Sequence, residues 1–364
     1  CKILIGVPQN NTSAEWHVAS FCCKIRRMAR RALSDADLAA FLSNGFVIVR
    51  DFFPPEVLAP VETELAVLAE AAIDSLVERG LLTADAHAAL PTKFEERIAA
   101  AFEGNHAEAP ILFRSELHTR GMAALFLDAP LIEACAALMS AAAEAASADG
   151  TVAVADGAIR IFPNYTARPK FAKSHEVSWH QDAGLTPDGS PNESPIDARL
   201  RDFGAASMIN VWVPMVEKVS RSNGAMEFIS GSHALGIQRH ERVGTYASRV
   251  GGKDPSELDD VDASTPGIYN TAIELDAVAA ALASLGPAID VACGRGDVVL
   301  FSNLLFHRGG VNTSGKVRWS LDFRYQRASR ATHRPQLGHI VAAGDGRHGP
   351  AIMTAEEWAA ERLR

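Results

Sequence analysis

The hydrophobic pattern changes period once, near residue 150, and that change constrains the fold more than any other feature of the chain. Before it, Val57, Leu58, Val61, Leu65, Val67 and Leu68 recur at helical spacing after Pro54-Pro55, which predicts one long helix to about Gly80. Ser34 with Asp37 marks an earlier helix start, Asn44-Gly45 its stop, and FVIVRDFF a buried strand beyond it. Residues 84–147 stay mostly helical and end in the alanine-rich LIEACAALMSAAAEAASA. After Gly150 the runs are short and β-type: TVAVADGAIRIF, EVSWH, ASMINVWVPM, AMEFIS, AIDVA, DVVLF and WSLDFRYQ. Asn223-Gly224 predicts a hairpin before AMEFIS. Many short strands with long loops between them predict a sandwich or jelly roll beneath a helical layer, hence an α+β chain.

The boundaries follow from the same pattern. Residues 1–27 have neither period and read as a non-native or disordered extension, with Met28 a sensible start. Residues 28–364 then form a single domain. It comprises a helical layer over 28–149, a β core over 150–330 and a tail over 331–364. An insertion at about 232–287, rich in Gly, Asp and Ser, is expected to carry some helix near 277–284, and 183–205 reads as a long loop. Thr354 and Glu357 form a capping box for a closing helix. Arg295-Gly296-Asp297 spells an adhesion tripeptide but reads as the turn before the strand that follows.

Composition narrows the class. A formal charge of −9 over 364 residues gives no electrostatic reason to expect nucleic acid or an anionic membrane as partner. Five cysteines, an odd number without a CxxC, argue against a disulfide framework and for a reducing, cytoplasmic setting. No apolar run approaches the roughly 20 residues that span a bilayer. A monomer or homodimer acting on a small molecule is the expectation.

The chemistry starts at SWHQDAG. On a strand His180 and Asp182 would project to one face and could converge on one ion. His307, in VVLFSNLLFHRGG at the end of an apolar strand, is the best third ligand. Two histidines and one carboxylate on one face of a metal leave positions open, an arrangement that suits non-haem Fe(II) enzymes activating oxygen. Eleven residues past His307 comes Arg318, which alternates with Val317, Trp319 and Leu321 and so shares a strand face with Ser320. A guanidinium fork with a neighbouring hydroxyl matches the distal carboxylate of a dicarboxylic cosubstrate.

The set WHQD, INVWVPM, SRSNGAMEFISGSH, GDVVLFSNLLFH and HRGGVNTSGKVRWS resembles the phytanoyl-CoA dioxygenase family of Fe(II)- and 2-oxoglutarate-dependent oxygenases, over about residues 150–328 and in the family's order. The resemblance extends weakly to LSDADLAAFLSNGFVIVRDFF. It implies a double-stranded β-helix, cupin-like, in which His180, Asp182 and His307 hold iron and Arg318 binds 2-oxoglutarate. It further implies that Gln181 and Trp212 lie near the cosubstrate, and that His233 in the GSH turn is structural and not a fourth ligand. Related halogenating enzymes have a small residue where this chain has Asp182, so hydroxylation with release of succinate and CO2 is the expected outcome. The long loops match nothing in the family, so the substrate does not transfer with the resemblance.

Two other readings stay open at this stage. A metal-binding jelly roll without oxygenase activity (an isomerase, binding protein or pseudo-enzyme) would take up metal without consuming oxygen, and leaves Arg318 and Ser320 without a role. A sugar-binding sandwich would need exposed aromatics, whereas Trp212 lies in an apolar run.

Overall fold

Ser34 opens the first helix, α1 (Asp35–Asn44), by accepting from the Asp37 N–H, while the Asp37 carboxylate accepts from the Ser34 N–H at 2.8 Å. The computed structural model describes residues 32–361 apart from 111, 147–156, 173–176, 185–194, 246–268, 335 and 344–351. The expectations for residues 1–27, and for the first half of TVAVADGAIRIF, fall outside these. Gly45 ends α1 at φ 82°, and a Cβ there would overlap the His233 ring. The chain turns directly into strand β1 (Phe46–Val49).

The long helix appears as α2 (Pro55–Glu78), with Leu58, Val61, Leu65, Leu68, Ile73 and Leu76 buried. Val67 is exposed, off the buried stripe. Helices α3 (Ala84–Ala88), α4 (Phe94–Ala101), α5 (Arg120–Phe126) and α6 (Ala129–Ala146) complete the layer. Contrary to the sequence expectation, Arg120–Ala146 is long and apolar enough to cross a membrane by length and composition. Its Leu131, Ile132, Cys135, Leu138 and Met139 are buried in the main core, so the stretch has the character of a core helix.

Twelve further strands follow in chain order: β2 (Ile159–Ile161), β3 (Thr166–Lys170), β4 (Val177–His180), β5 (Met208–Pro214), β6 (Met226–Phe228) and β7 (His240–Thr245). Then come β8 (Tyr269–Ile273), β9 (Ile289–Asp290), β10 (Val298–Ser302), β11 (His307–Gly309), β12 (Arg318–Arg327) and β13 (His339–Ala342). Among the described residues they make a seven-stranded sheet in the order β1-β10-β5-β12-β2-β13, with β3 also on β12, a four-stranded sheet β4-β11-β6-β9, and the pair β7-β8. All pairings are antiparallel. The chain is α+β, with antiparallel sheets and a helical layer.

Alternation decides what each face of the large sheet does. Ile209, Val211, Val213, Val298, Leu300, Trp319, Leu321, Phe323 and Tyr325 join the helices in one core. Trp212, Val299 and Phe301 point the other way and meet Met226 and Phe228 of the small sheet in a second cluster. Between the sheets, β12 therefore presents Arg318, Ser320, Asp322, Arg324 and Gln326, a polar row inside an apolar layer.

Several local expectations change. Asn223-Gly224 does form a turn, with Gly224 at φ 79°, yet no hairpin: β5 lies in the large sheet and β6 in the small one. The 183–205 segment contains a helix, α7 (Ile196–Phe203), besides residues outside the description. The 232–287 segment carries the expected helix, α8 (Leu275–Leu285), and also the strand pair β7-β8, which composition did not reveal. Gly296, at φ 97°, forms the turn before β10, and the Asp297 carboxylate accepts from Arg50, the Asp51 N–H and the Gly294 N–H. The closing helix is α9 (Ala355–Ala360), with its capping box intact.

Candidate active site

His180 ends β4 and His307 opens β11, and the two are register partners across adjacent strands of the small sheet. Their ring centroids lie 4.0 Å apart. Asp182 is not on the strand: it begins a short 3-10 turn, Asp182–Gly184, so convergence with His180 comes from the chain bending and not from strand alternation. His307 likewise begins a new strand in the small sheet instead of ending β10. One ligand atom from each of His180, Asp182 and His307 lies within 4.8 Å of the others. The His180 Nε2 and Asp182 Oδ1 are 3.9 Å apart.

The surrounding bonds fix which atoms are available. His180 Nδ1 donates to the Ser178 carbonyl at 2.8 Å and His307 Nδ1 to the Leu305 carbonyl at 3.0 Å. Each ring therefore carries its proton on Nδ1 and keeps the Nε2 lone pair bare. Burial pushes the His180 imidazole down to about 3, helped by the neighbouring His307, and burial lowers His307 as well. Burial alone would raise the Asp182 carboxyl, but the charge of Arg324, with its hydrogen bond to Oδ2, holds it below the usual carboxylate range. Arg324 Nη2 donates to Asp182 Oδ2 at 2.5 Å, which leaves Oδ1 for another partner. Two neutral imidazoles and one ionised carboxylate are the protonation states a divalent cation needs, so the donor set fits Fe(II).

On β12, Arg318 is buried, its Nη1 donating to Ser320 Oγ at 2.8 Å and its Nη2 to the Gly224 carbonyl at 3.2 Å. Its Nε–H is buried without an acceptor, and no carboxylate lies within ion-pair distance among the described residues. Burial draws its pKa down to about 10. Removing a cation from water costs several kcal/mol where its counter-charge is incomplete; the compensating carboxylate, Asp322, lies beyond ion-pair distance and is itself paired with Arg168, so this guanidinium fits a bound anion. The Arg318 guanidinium sits 5.3 Å from the Trp212 ring centroid. Trp212 shares its cluster with Phe228 and Phe301, which also edge the His307 ring. The triad and Arg318 thus border the same layer between the sheets.

The remaining candidates fall elsewhere. Gln181 is fully buried, and both its amide protons are spent on backbone: Nε2 donates to the Gly236 and Leu304 carbonyls at 2.8 and 2.6 Å. Its Oε1 accepts from the Gln238 N–H at 2.8 Å. That leaves no amide proton for a cosubstrate; Gln181 ties β4 to the 236–238 segment and to Leu304. Trp212 is 2% exposed, which removes the sugar-groove arrangement. His233 Nε2 meets the Leu42 carbonyl at 3.1 Å, away from the triad's hydrogen-bond network, in keeping with a structural role. Trp179 packs against Ile229, Ile273 and Phe306, and the Arg308 guanidinium lies 5.0 Å from its ring centroid.

Four residues escape sequence reasoning. Arg324 braces Asp182 from the other sheet. Lys170, buried on β3, is the register partner of Arg318. His240 accepts from the Gln181 N–H through Nε2 at 2.9 Å and donates through Nδ1 to the Gln238 carbonyl at 3.0 Å, and burial pushes it down to about 4. Asn210, 2% exposed and the register partner of Arg324, has neither amide atom bonded. Alternation along RWSLDFRYQ, which pairs Arg318 with Ser320, also reaches Arg324, and that signal could have found it.

Comparison with known proteins adds the following. The family model described as phytanoyl-CoA dioxygenase (PhyH) matches residues 41–320. No curated protein sequence matches the chain. Among solved structures, EctD from S. alaskensis with 2-oxoglutarate and 5-hydroxyectoine is similar at 17% identity and a TM-score of 0.47, covering 89% of this chain and 86% of that one. The non-haem α-ketoglutarate-dependent carbocyclase SnoK from nogalamycin biosynthesis is similar at 16% identity and a TM-score of 0.45, covering 81% and 85%. AviO1 from Streptomyces viridochromogenes Tue57 is similar at 17% identity and a TM-score of 0.43, covering 81% and 96%.

Proposed function

This chain belongs to the phytanoyl-CoA dioxygenase family, and from that premise we propose that it is an Fe(II)- and 2-oxoglutarate-dependent oxygenase that hydroxylates a small organic molecule. Its two facing antiparallel sheets are then the double-stranded β-helix of the family, residues 28–364 one oxygenase domain, and its setting the cytoplasm. One observation supports the reading above the others. A buried arginine with no carboxylate within ion-pair distance among the described residues borders the same layer as a His180–Asp182–His307 group whose protonation suits a divalent metal. A metal-binding jelly roll without oxygenase activity gives that arginine no anion to receive.

An Fe(II) ion held by the three side chains supplies the redox chemistry that couples decarboxylation of 2-oxoglutarate, giving succinate and CO2, to hydroxylation by O2. The protein's part is positional. Arg318 and Ser320 take the cosubstrate's far carboxylate, the first as a charged fork and the second as an added hydroxyl contact. The Ser178 and Leu305 carbonyls hold both imidazoles in one tautomer and one orientation. Arg324 occupies Asp182 Oδ2 and so restricts that carboxylate to one ligating oxygen. Phe228, Phe301 and Trp212 keep water from the layer where the reaction runs.

The test is succinate formation from 2-oxoglutarate with Fe(II), screened across acyl-CoAs, amino acid derivatives and small natural products for a compound that stimulates it. Asp182→Ala is expected to abolish turnover. Turnover equal to that of the parent protein would overturn the assignment.

A further inference from the structure

Arginines gather beside the triad in a way the proposed reaction does not use. After β2 the chain makes a short turn, Phe162 to Asn164, and three guanidiniums close on it. Arg324 Nη1 donates to the Asn164 carbonyl at 3.2 Å. Arg114 Nη2 donates to the Asn164 side-chain oxygen at 3.1 Å. Arg334 reaches the Pro163 carbonyl at 3.5 Å and stands 5.0 Å from the Phe162 ring centroid. The first of these is the residue that also holds Asp182.

Neither Arg114 nor Arg334 is paired with a carboxylate among the described residues. Arg114 keeps its Nε–H buried without an acceptor. Both are half-buried, and burial lowers both guanidiniums, Arg334 to about 10. The next causes are like charges, Arg168 and then Arg324 acting on Arg114, and Arg324 and then Arg114 acting on Arg334, so these guanidiniums are close enough to repel. Asp182 supplies the opposing charge on Arg334, and that carboxylate is already shared with Arg324 and the metal position. On the other flank of Arg324 lies Asn210, buried, with both amide atoms unbonded. Like charges brought together in partial burial, next to an unsatisfied amide, are costly unless a ligand settles them.

We propose that the substrate is a small organic oxyanion, a carboxylate or a phosphate ester, whose charged group is received by Arg114 and Arg334 at the Phe162–Asn164 turn, beside Asp182. This rests on reading the triad as the reaction centre. The arrangement separates two anion sites: Arg318 and Ser320 for the cosubstrate, Arg114 and Arg334 for the substrate. Asn210, offering both a donor and an acceptor, is placed to read a neutral polar group on the same molecule.

The experiment titrates the protein, loaded with Fe(II) and saturating 2-oxoglutarate without oxygen, with benzoate, phenyl phosphate and the neutral benzamide by calorimetry. Saturating 2-oxoglutarate keeps the probes off Arg318. One of the two anions is expected to bind at least about tenfold more tightly than benzamide, and which one it is distinguishes carboxylate from phosphate. Arg334→Gln and Arg114→Gln are each expected to weaken that anion about tenfold, as the loss of one charge-assisted bond does. Arg334→Lys, which keeps the charge, should recover part of the loss and serves where the glutamine variant does not fold. Equal binding of anions and benzamide, or anion binding untouched by every variant, overturns the proposal. Should iron and 2-oxoglutarate fail to load, the oxygenase reading falls by itself, and the same titration on the metal-free protein still decides the anion site.

Discussion

Arg324 and Asp182 join the two sheets at the candidate active site: a guanidinium from β12 of the large sheet donates to the carboxylate that follows β4 of the small one, at 2.5 Å. The bond leaves Asp182 with one free oxygen, and Arg324's charge lowers the carboxyl that burial would otherwise raise. Arg324 thus sets both the orientation and the ionisation of the proposed metal ligand Asp182.

Arg324→Met should therefore weaken Fe(II) or Mn(II) binding about 10- to 100-fold, the usual cost of losing a partner behind a metal ligand. Metal titration followed by fluorescence or calorimetry reads this directly. Unaltered metal affinity would mean that Arg324 contributes only packing.

Arg318→Met should leave metal uptake unchanged and weaken 2-oxoglutarate by about two orders of magnitude, the scale of a buried charge-assisted fork. Ser320→Ala, which removes one hydroxyl from the same fork, should cost about tenfold. The two affinities, metal and cosubstrate, are measured separately; a joint loss of both would show that Arg318 holds the fold instead of an anion.

Gln181→Leu should unfold more easily, because it leaves the Leu304 carbonyl and the Gln238 N–H without partners and the Gly236 carbonyl with only the 3.5 Å contact from Gln238 Nε2. Buried unpaired groups cost about 1–3 kcal/mol each, so a loss of about 3 kcal/mol or more in denaturant unfolding is expected. The KM for 2-oxoglutarate in the folded variant should stay near that of the parent. A raised KM at unchanged stability would instead assign Gln181 to the cosubstrate.

Acid should destabilise the protein before its carboxylates titrate. His240 is pushed down to about 4 by burial from an ordinary value of 6.5. Between these values the unfolded chain takes up a proton that the folded one refuses, so stability is complete above pH 6.5 and falls as pH drops toward 4. The contribution is on the order of 3 kcal/mol at most. Unfolding measured at pH 7.5 and 4.5 checks it, and His240→Gln should flatten the slope.

The parts of the site that were legible in the sequence are those whose partners are close along the chain. Arg318 with Ser320 follows from strand alternation, and His180 with Asp182 from adjacency, although a turn and not a strand aims the aspartate. Arg324 was illegible in its role because that role depends on where β12 crosses Asp182, 142 positions away in sequence. Strand β3, written TARPK, hid behind Pro169 and its charges; its main pairing is with β12, where such a strand tolerates a proline. The Asn223-Gly224 turn was legible as a reversal of the chain, but turn chemistry does not say which sheet the next strand joins. The helices were read more completely, since caps and apolar stripes are local; Arg120–Ala146 needed the packing around it to show a buried helix.

β10 and β11 are only four residues apart yet belong to different sheets, and Asp182 is clasped from the far one. The candidate site is therefore assembled from segments far apart in the sequence. Without the 318–327 segment beside β5, Asp182 has no Arg324 brace. A chain truncated before that segment would keep His180, Asp182 and His307 but lose Arg318 and Arg324 together.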